Sequence, residues 1–107
     1  MKLVIAVINR DDANSVSRSL SKYGFSSTRL ATTGGFLRAG NVTLLVGVDE
    51  EKEDEVLDII RRHSHSRREM IPAGTELTGG LSASTPVEVC VGGATIFVVD
   101  VQQFERV

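Results

Sequence analysis

Cysteine, aromatic residues and long apolar segments are all scarce in this 107-residue chain. The single cysteine, Cys90, cannot form an internal disulfide, so we expect a protein of a reducing compartment, with the cytoplasm as the default location. The apolar run at residues 3–8 is far too short to span a bilayer as a helix. The small-residue site at which a secretion signal is cut does not follow that run.

An excess of charge of one sign is also lacking, because 12 basic and 14 acidic side chains leave a formal net charge of −2. This balance argues against a broad contact surface for a nucleic-acid polymer, but it leaves room for a small anion in a local site. Hydrophobic residues make up 41% of the chain, which is ordinary for a soluble protein. The length predicts a single domain spanning residues 1–107.

Sequence patterns that carry catalysis are absent as well. The chain has no Ser-His-Asp order, no Walker sequence and no dinucleotide-binding glycine fingerprint. His63 and His65 could join an acidic side chain or Cys90 around a metal ion, but a zinc site needs three or four convergent ligands, and this spacing matches no standard pattern. Cys90 stands between two valines and is interpreted as an inert small side chain. We therefore expect no enzyme, no cofactor and no metal.

Hydrophobic periodicity predicts five strands and two helices. Asp11 or Asp12 offers an N-cap for the first helix, and Gly24 ends it. Asp49 begins the second helix, which runs from acidic residues to Arg61, Arg62 and His63 and so complements its own dipole. The predicted strands are residues 3–8, 26–31, 42–48, 87–91 and 94–101, and the last two read as a hairpin around the Gly92-Gly93 pair.

Residues 64–86 show no period and are rich in glycine, serine and threonine, so they are predicted to form a long mobile loop. The order of the remaining elements predicts an α+β protein, a ferredoxin-like β-α-β-β-α-β sandwich with an extra C-terminal hairpin. Both helices of such a fold cover the same sheet face. The other face would carry exposed aliphatic side chains, which predicts self-association with cyclic symmetry.

The segment at residues 31–41 concentrates three glycines and two adjacent threonines around Phe36. Glycine allows a backbone to approach a ligand closely, threonine hydroxyls suit phosphate oxygens, and an aromatic ring can stack on a base. The segment therefore suggests a nucleotide site. The alternative interpretation is a hairpin turn whose phenylalanine folds into the core.

Taken together, several motifs of this chain resemble the cyclic-di-AMP receptor family, the PII-like signal-transduction branch found mainly in Gram-positive bacteria. The resemblance runs nearly end to end and rests on MKLVIAV at residues 1–7, LATTGGFLRAGN at 30–41, Gly47, PVEV at 86–89 and VGGATIFV at 91–98. It implies a PII-like homotrimer whose sheets face the threefold axis and which holds one cyclic di-AMP at each subunit interface.

The resemblance also implies which residues bind the ligand. Phe36 would stack on an adenine, and Thr28 and Asn41 would hydrogen-bond base or phosphate-sugar groups. The main chain at Gly35, Leu37 and Gly47 would approach the ligand where a side chain would clash. Ligand binding would order the loop at 64–86 and so change the surface offered to a protein partner.

Two alternatives to cyclic di-AMP binding remain open. Family members with a known ligand usually have an arginine where this chain has Ser26. This difference motivates a PII-like sensor of another adenine nucleotide, ATP or AMP. A trimeric interaction module that has lost its ligand is the other alternative.

Overall fold

The computed structural model describes residues 1–30, 40–71 and 87–107, which form six strands, two α-helices and one 3-10 turn. In chain order these are β1 (Lys2–Asn9), α1 (Arg10–Lys22), β2 (Thr28–Leu30), β3 (Asn41–Val48), the 3-10 turn Glu50–Lys52, α2 (Glu53–Ser64), β4 (Arg67–Ile71), β5 (Val87–Val91) and β6 (Ala94–Asp100).

Four of these strands form one antiparallel sheet in the order β2-β3-β1-β6. Strand β1 is central and pairs with β3 on one side and with β6 on the other. Its continuous aliphatic sequence suits a position with hydrogen-bonded neighbours on both edges. The architecture is α+β and is compatible with the predicted ferredoxin-like sandwich.

The core lies between the sheet and the two helices. Strands β1 and β3 contribute alternate residues, which are almost completely buried, and the helices contribute residues at helical spacing. The predicted apolar face of α2 is confirmed, since Val56, Ile59 and Ile60 are fully buried. The largest of the other core side chains are Val4, Ile8, Val16, Leu20, Leu44 and Val46.

The ends of α1 differ in part from the prediction. Asn9 is the N-cap, because its side-chain oxygen accepts the amide of Asp11 at 2.9 Å, so neither aspartate caps the helix. The amide of Arg10 donates to the carbonyl of Gly40 at 2.5 Å. At the other end Gly24 has a φ of +86° and lies directly after Tyr23, which confirms that it ends the helix.

The predicted hairpin at residues 87–101 is wrong. Strand β5 pairs with β4 in a separate two-stranded ribbon, while β6 joins the main sheet beside β1. Gly92 and Gly93, with φ values of +77° and +91°, therefore pass the chain from the ribbon to the sheet instead of turning it back. Two short valine-rich segments on either side of a glycine pair correctly predict two strands. This pattern does not decide which neighbour each strand pairs with.

The predicted loop at residues 64–86 is wrong at its beginning. Ser64 is the last residue of α2, and its hydroxyl donates to the carbonyl of Ile60. Arg67–Ile71 forms β4, a strand whose mixed sequence gave no alternating signal. The rest of the predicted loop, residues 72–86, lies outside the described residues.

A partly buried ion pair joins the ribbon to the body of the protein. The guanidinium of Arg67 at the start of β4 makes two hydrogen bonds with the carboxylate of Asp12 in α1, at 3.0 and 3.2 Å. Asp12 is 6% exposed, and this pairing raises the pKa of Arg67 above its ordinary value. We call Asp12, Arg67 and Gly92 the junction.

Gly92 completes the junction because there is no room for a side chain at this position. A Cβ built on Gly92 would lie 2.4 Å from Nη1 of Arg67 and 3.0 Å from Oδ2 of Asp12. Its neighbour Gly93 also has a positive φ, but the nearest atom to a Cβ there is 3.5 Å away, which is an ordinary contact.

This difference predicts unequal effects of alanine at the two glycines. Gly93→Ala should lower the free energy of unfolding by roughly 1–2 kcal/mol, which is the cost of a left-handed backbone. Gly92→Ala should lower it by about 1–3 kcal/mol more, because the added methyl group also overpacks the Asp12–Arg67 pair. Urea denaturation of both variants measures the difference, and equal losses would contradict the tight junction.

Candidate functional site

One face of the four-stranded sheet is bare within the part of the chain that the structure describes. Strand alternation places Val4, Ala6 and Ile8 toward the helices and the intervening residues on the opposite face. On that opposite face Phe97 is 54% exposed, Val99 43% and Leu30 39%. The cross-strand register assigns the following residues to this open face: Leu3, Ile5, Val7, Thr28, Leu30, Leu45, Gly47, Phe97 and Val99.

A groove of about 860 Å³ opens at one end of this face, and we call it the sheet-edge groove. Its volume is within the usual range for small-molecule sites. The end of α1, strands β2 and β3, the 3-10 turn and the segment after β6 all contribute to its walls. The lining residues used below are Ser26, Thr28, Gly47, Lys52, Phe104 and Arg106.

Two of the predicted ligand residues lie together in the sheet-edge groove. Thr28 is opposite Leu45 in the β2–β3 register, and Gly47 is two residues further along β3 on the same face. Asn41 shares that face but lies at the other end of β3, opposite Asn9. The six residue steps from Asn41 to Gly47 span roughly 20 Å of strand. A ligand touching all three would have to extend along the strand.

The other three predicted ligand residues, Gly35, Phe36 and Leu37, lie outside the described residues. Their neighbour Gly40 begins the described chain again, one residue before β3. The segment that carries them therefore enters the sheet at Asn41, on the strand that also carries Gly47.

Packing among the described residues does not explain why residue 47 is a glycine. A Cβ built at this position would meet none of their atoms within 4 Å, and the residue is exposed. The missing side chain instead leaves the floor of the sheet-edge groove open. This is the arrangement expected where a ligand, and not the protein itself, approaches the backbone.

The C-terminal segment supplies groove residues that sequence reasoning missed. Phe104 is 62% exposed, and the guanidinium carbon of Arg106 lies 6.0 Å from the centre of its ring. Together with Lys52 these residues bring an aromatic surface and two positive charges to the groove. The carboxylate of Asp49, which also lines the groove, adds one negative charge. Residues 102–107 have no periodicity and follow the last strand, so nothing in the sequence linked them to β2 and β3.

The arginine nearest to Thr28 in the sequence does not face the groove. Arg29 is opposite Leu44 in the register and so is on the helix side of the sheet, where its Nη2 donates to Oδ1 of Asn14 at 2.8 Å. Because neighbouring residues of a strand point to opposite faces, Arg29 is on the other side of the sheet from Thr28. Arg29 therefore does not supply to the groove the guanidinium that Ser26 lacks.

An ion pair fixes the end of β6 beside the groove. The ammonium of Lys2 contacts the carboxylate of Asp100, which is its partner in the β1–β6 register, and lies 3.6 Å from Glu50 in the 3-10 turn. The hydrogen bond from Lys2 lowers the pKa of Asp100 below its ordinary value. The segment that carries Phe104 and Arg106 begins directly after this pair.

The described residues contain no group of three or more His, Cys, Asp or Glu side chains placed to hold a metal ion. Cys90 is exposed in β5, and its Sγ lies 3.1 Å from Oγ of Ser66. Within the same residues no helix is both long and apolar enough to cross a membrane.

Comparison with known proteins identifies the family. A crystal structure of a protein of unknown function from Pediococcus pentosaceus ATCC 25745 is similar, with a TM-score of 0.78 and 42% sequence identity over 99% of this chain and 96% of that one. The family model described as "Cyclic-di-AMP receptor" matches residues 1–107. The chain therefore belongs to the cyclic-di-AMP receptor family.

Proposed function

We propose that this protein is a non-enzymatic signalling receptor that binds cyclic di-AMP between the subunits of a homotrimer. The observation that carries the proposal is the open sheet face, which combines bare aliphatic and aromatic side chains with Thr28, Asn41 and Gly47. An apolar face of this kind needs another protein surface to cover it. A ligand-binding residue on the face would then lie at the border of the covering surface.

A second and a third copy of the chain are the proposed cover. Phe97, Val99 and Leu30 belong to an exposed apolar face, and a closed ring of identical copies would bury the same face of each subunit. A chain of 107 residues also gains from such burial, because small domains hide a smaller fraction of their surface on folding. PII-like packing around a threefold axis satisfies both requirements.

The chemistry of the sheet-edge groove fits part of a cyclic dinucleotide. The Thr28 hydroxyl can donate to or accept from a base or a phosphate, and the backbone at Gly47 is accessible for close contact. Lys52 and Arg106 bring positive charge for the phosphates. Phe36 is proposed to stack on one adenine, with Gly35 and Leu37 contributing main-chain contacts beside it.

Another adenine nucleotide, ATP or AMP, is the second candidate ligand. The observation that favours it is Ser26, which lines the groove where an arginine would provide a further phosphate contact. A trimer that only binds a protein partner is the third candidate. Titration with cyclic di-AMP, ATP and AMP separately distinguishes these three functions.

The proposed signal is a change of the surface that a protein partner meets. Ligand binding shifts a conformational equilibrium only if the ligand binds one conformation more tightly than the other. We place this change in the segment between Ile71 and Val87, which the ribbon β4–β5 joins to the body of the protein. Amide hydrogen exchange of that segment with and without cyclic di-AMP tests this step.

Two substitutions in the groove should weaken ligand binding without weakening the fold. Thr28→Val removes a hydroxyl at nearly constant shape and should reduce affinity for cyclic di-AMP by about two- to tenfold. Gly47→Ala places a methyl group in the groove and should cost at least as much, while it raises the free energy of unfolding by up to about 1 kcal/mol. Isothermal titration calorimetry and urea denaturation measure the two quantities.

Thr95→Val is the matched control, because Thr95 is opposite Val7 on the same open face and outside the sheet-edge groove. Its affinity for cyclic di-AMP should equal that of the wild type. Absence of heat with cyclic di-AMP at tens of micromolar wild-type protein would refute the proposed ligand.

The proposed assembly predicts a mass of three times 11.5 kDa in solution. Phe97→Asp places a charge at the centre of the open face and should give a monomer, because an unpaired carboxylate is costly to bury. Asn14→Asp makes the same change of charge on the exposed side of α1 and should leave the trimer intact. Light scattering coupled to size-exclusion chromatography reports all three masses, and a monomeric wild type would be incompatible with the proposal.

A further inference from the structure

A second groove lies on the helix layer, on the other side of the main sheet from the open face. Its volume is about 440 Å³. Along α1 it is lined by Ser15, Arg18, Ser19 and Lys22, and Tyr23 closes its end. Arg62 and His63 line it from the last turn of α2. We call it the interhelical groove.

Every side chain that lines the interhelical groove carries a hydrogen-bond donor. Arg18, Lys22 and Arg62 are cations, the two serines and Tyr23 have hydroxyl groups, and His63 has an imidazole N–H. No carboxylate is among the described residues that line the groove. A cavity lined by donors and positive charge is complementary to an anion with many acceptor oxygens.

The spacing along α1 explains how one helix supplies four of these groups. Ser15, Ser19 and Lys22 recur at intervals of four and three residues, so they lie on one side of the helix. Val16 and Leu20, one position further along from the two serines, point into the core and are fully buried. The donors therefore follow the border between the buried and the exposed side of α1.

The cation that α2 supplies makes one ion pair within its own helix. Nε of Arg62 lies 3.2 Å from Oδ2 of Asp58, one turn earlier in α2, and both side chains are more than half exposed. An arginine has five N–H donors in a planar fork, so a contact at Nε does not use its capacity.

The local positive charge contrasts with the rest of the chain, whose net charge is −2. The acidic residues of the helix layer lie mainly in the first turn of α1, in the 3-10 turn and in the first turn of α2, where they complement the helix dipoles. Ser15, Arg18 and Ser19 lie in the middle of α1, where no helix-capping role requires them.

We propose that the interhelical groove binds a phosphate-bearing anion. Guanidinium groups match the oxygens of a phosphate in pairs, and hydroxyl donors satisfy those that remain. The site is separate from the proposed cyclic dinucleotide site, because the two grooves share only Tyr23 among their described lining residues. The phosphate belongs either to a free oligophosphate or to a phosphorylated side chain of another protein.

Inorganic tripolyphosphate is the probe for the test, because it offers phosphate oxygens without the adenine that the proposed cyclic dinucleotide site recognises. Calorimetric titration of the wild type should give saturable binding that weakens as salt increases. Arg62→Gln and Arg18→Gln should each weaken it by roughly tenfold, since each removes a charge-assisted contact. A phosphoserine peptide, titrated in parallel with its unphosphorylated form, identifies which of the two sources the groove prefers.

Arg61→Gln is the matched control, because it removes the same charge from an exposed neighbour in α2 that does not line the groove. This variant should bind tripolyphosphate as the wild type does. Equal weakening by Arg61→Gln and Arg62→Gln would show diffuse attraction and overturn the proposal, as would a wild type that shows no saturable binding. Neither result would bear on cyclic di-AMP.

Discussion

The double pairing of β1 is the constraint on which the rest of the structure depends. With β3 on one edge and β6 on the other, the alternation of a single strand decides which side chains face the helices across most of the sheet. Val4, Ala6 and Ile8 anchor the core, and a shift of the register by one residue would exchange the two faces. The covered core and the open face are two results of the same register.

The sequence predicted local structure better than long-range pairing. Helical spacing identified the buried face of α2, and a glycine after Tyr23 correctly ended α1, because both depend on nearby residues. The partners of β5 and the existence of β4 depended on contacts between distant segments, and the hairpin inferred from Gly92-Gly93 was wrong for that reason. Asp12 was interpreted as a helix cap because its partner, Arg67, is 55 residues away and no local pattern of the sequence connects the two.

The candidate site shows the same division. Thr28 and Gly47 could be named from motifs and lie together in one groove, whereas Phe104 and Arg106 enter it from a terminal segment without any pattern. The interhelical groove also combines residues from two helices, and neither helix alone indicates more than a solvated surface. Each groove is a product of packing, so only the part that lies on one element could be read in advance.

The first turn of α1 attaches two distant segments of the chain. Within three residues, the Arg10 amide holds the carbonyl of Gly40, where the glycine-rich segment ends, and the Asp12 carboxylate holds Arg67, where the ribbon starts. The same turn buries Ala13 in the core, so the end of the glycine-rich segment and the start of the ribbon share one anchor on the core.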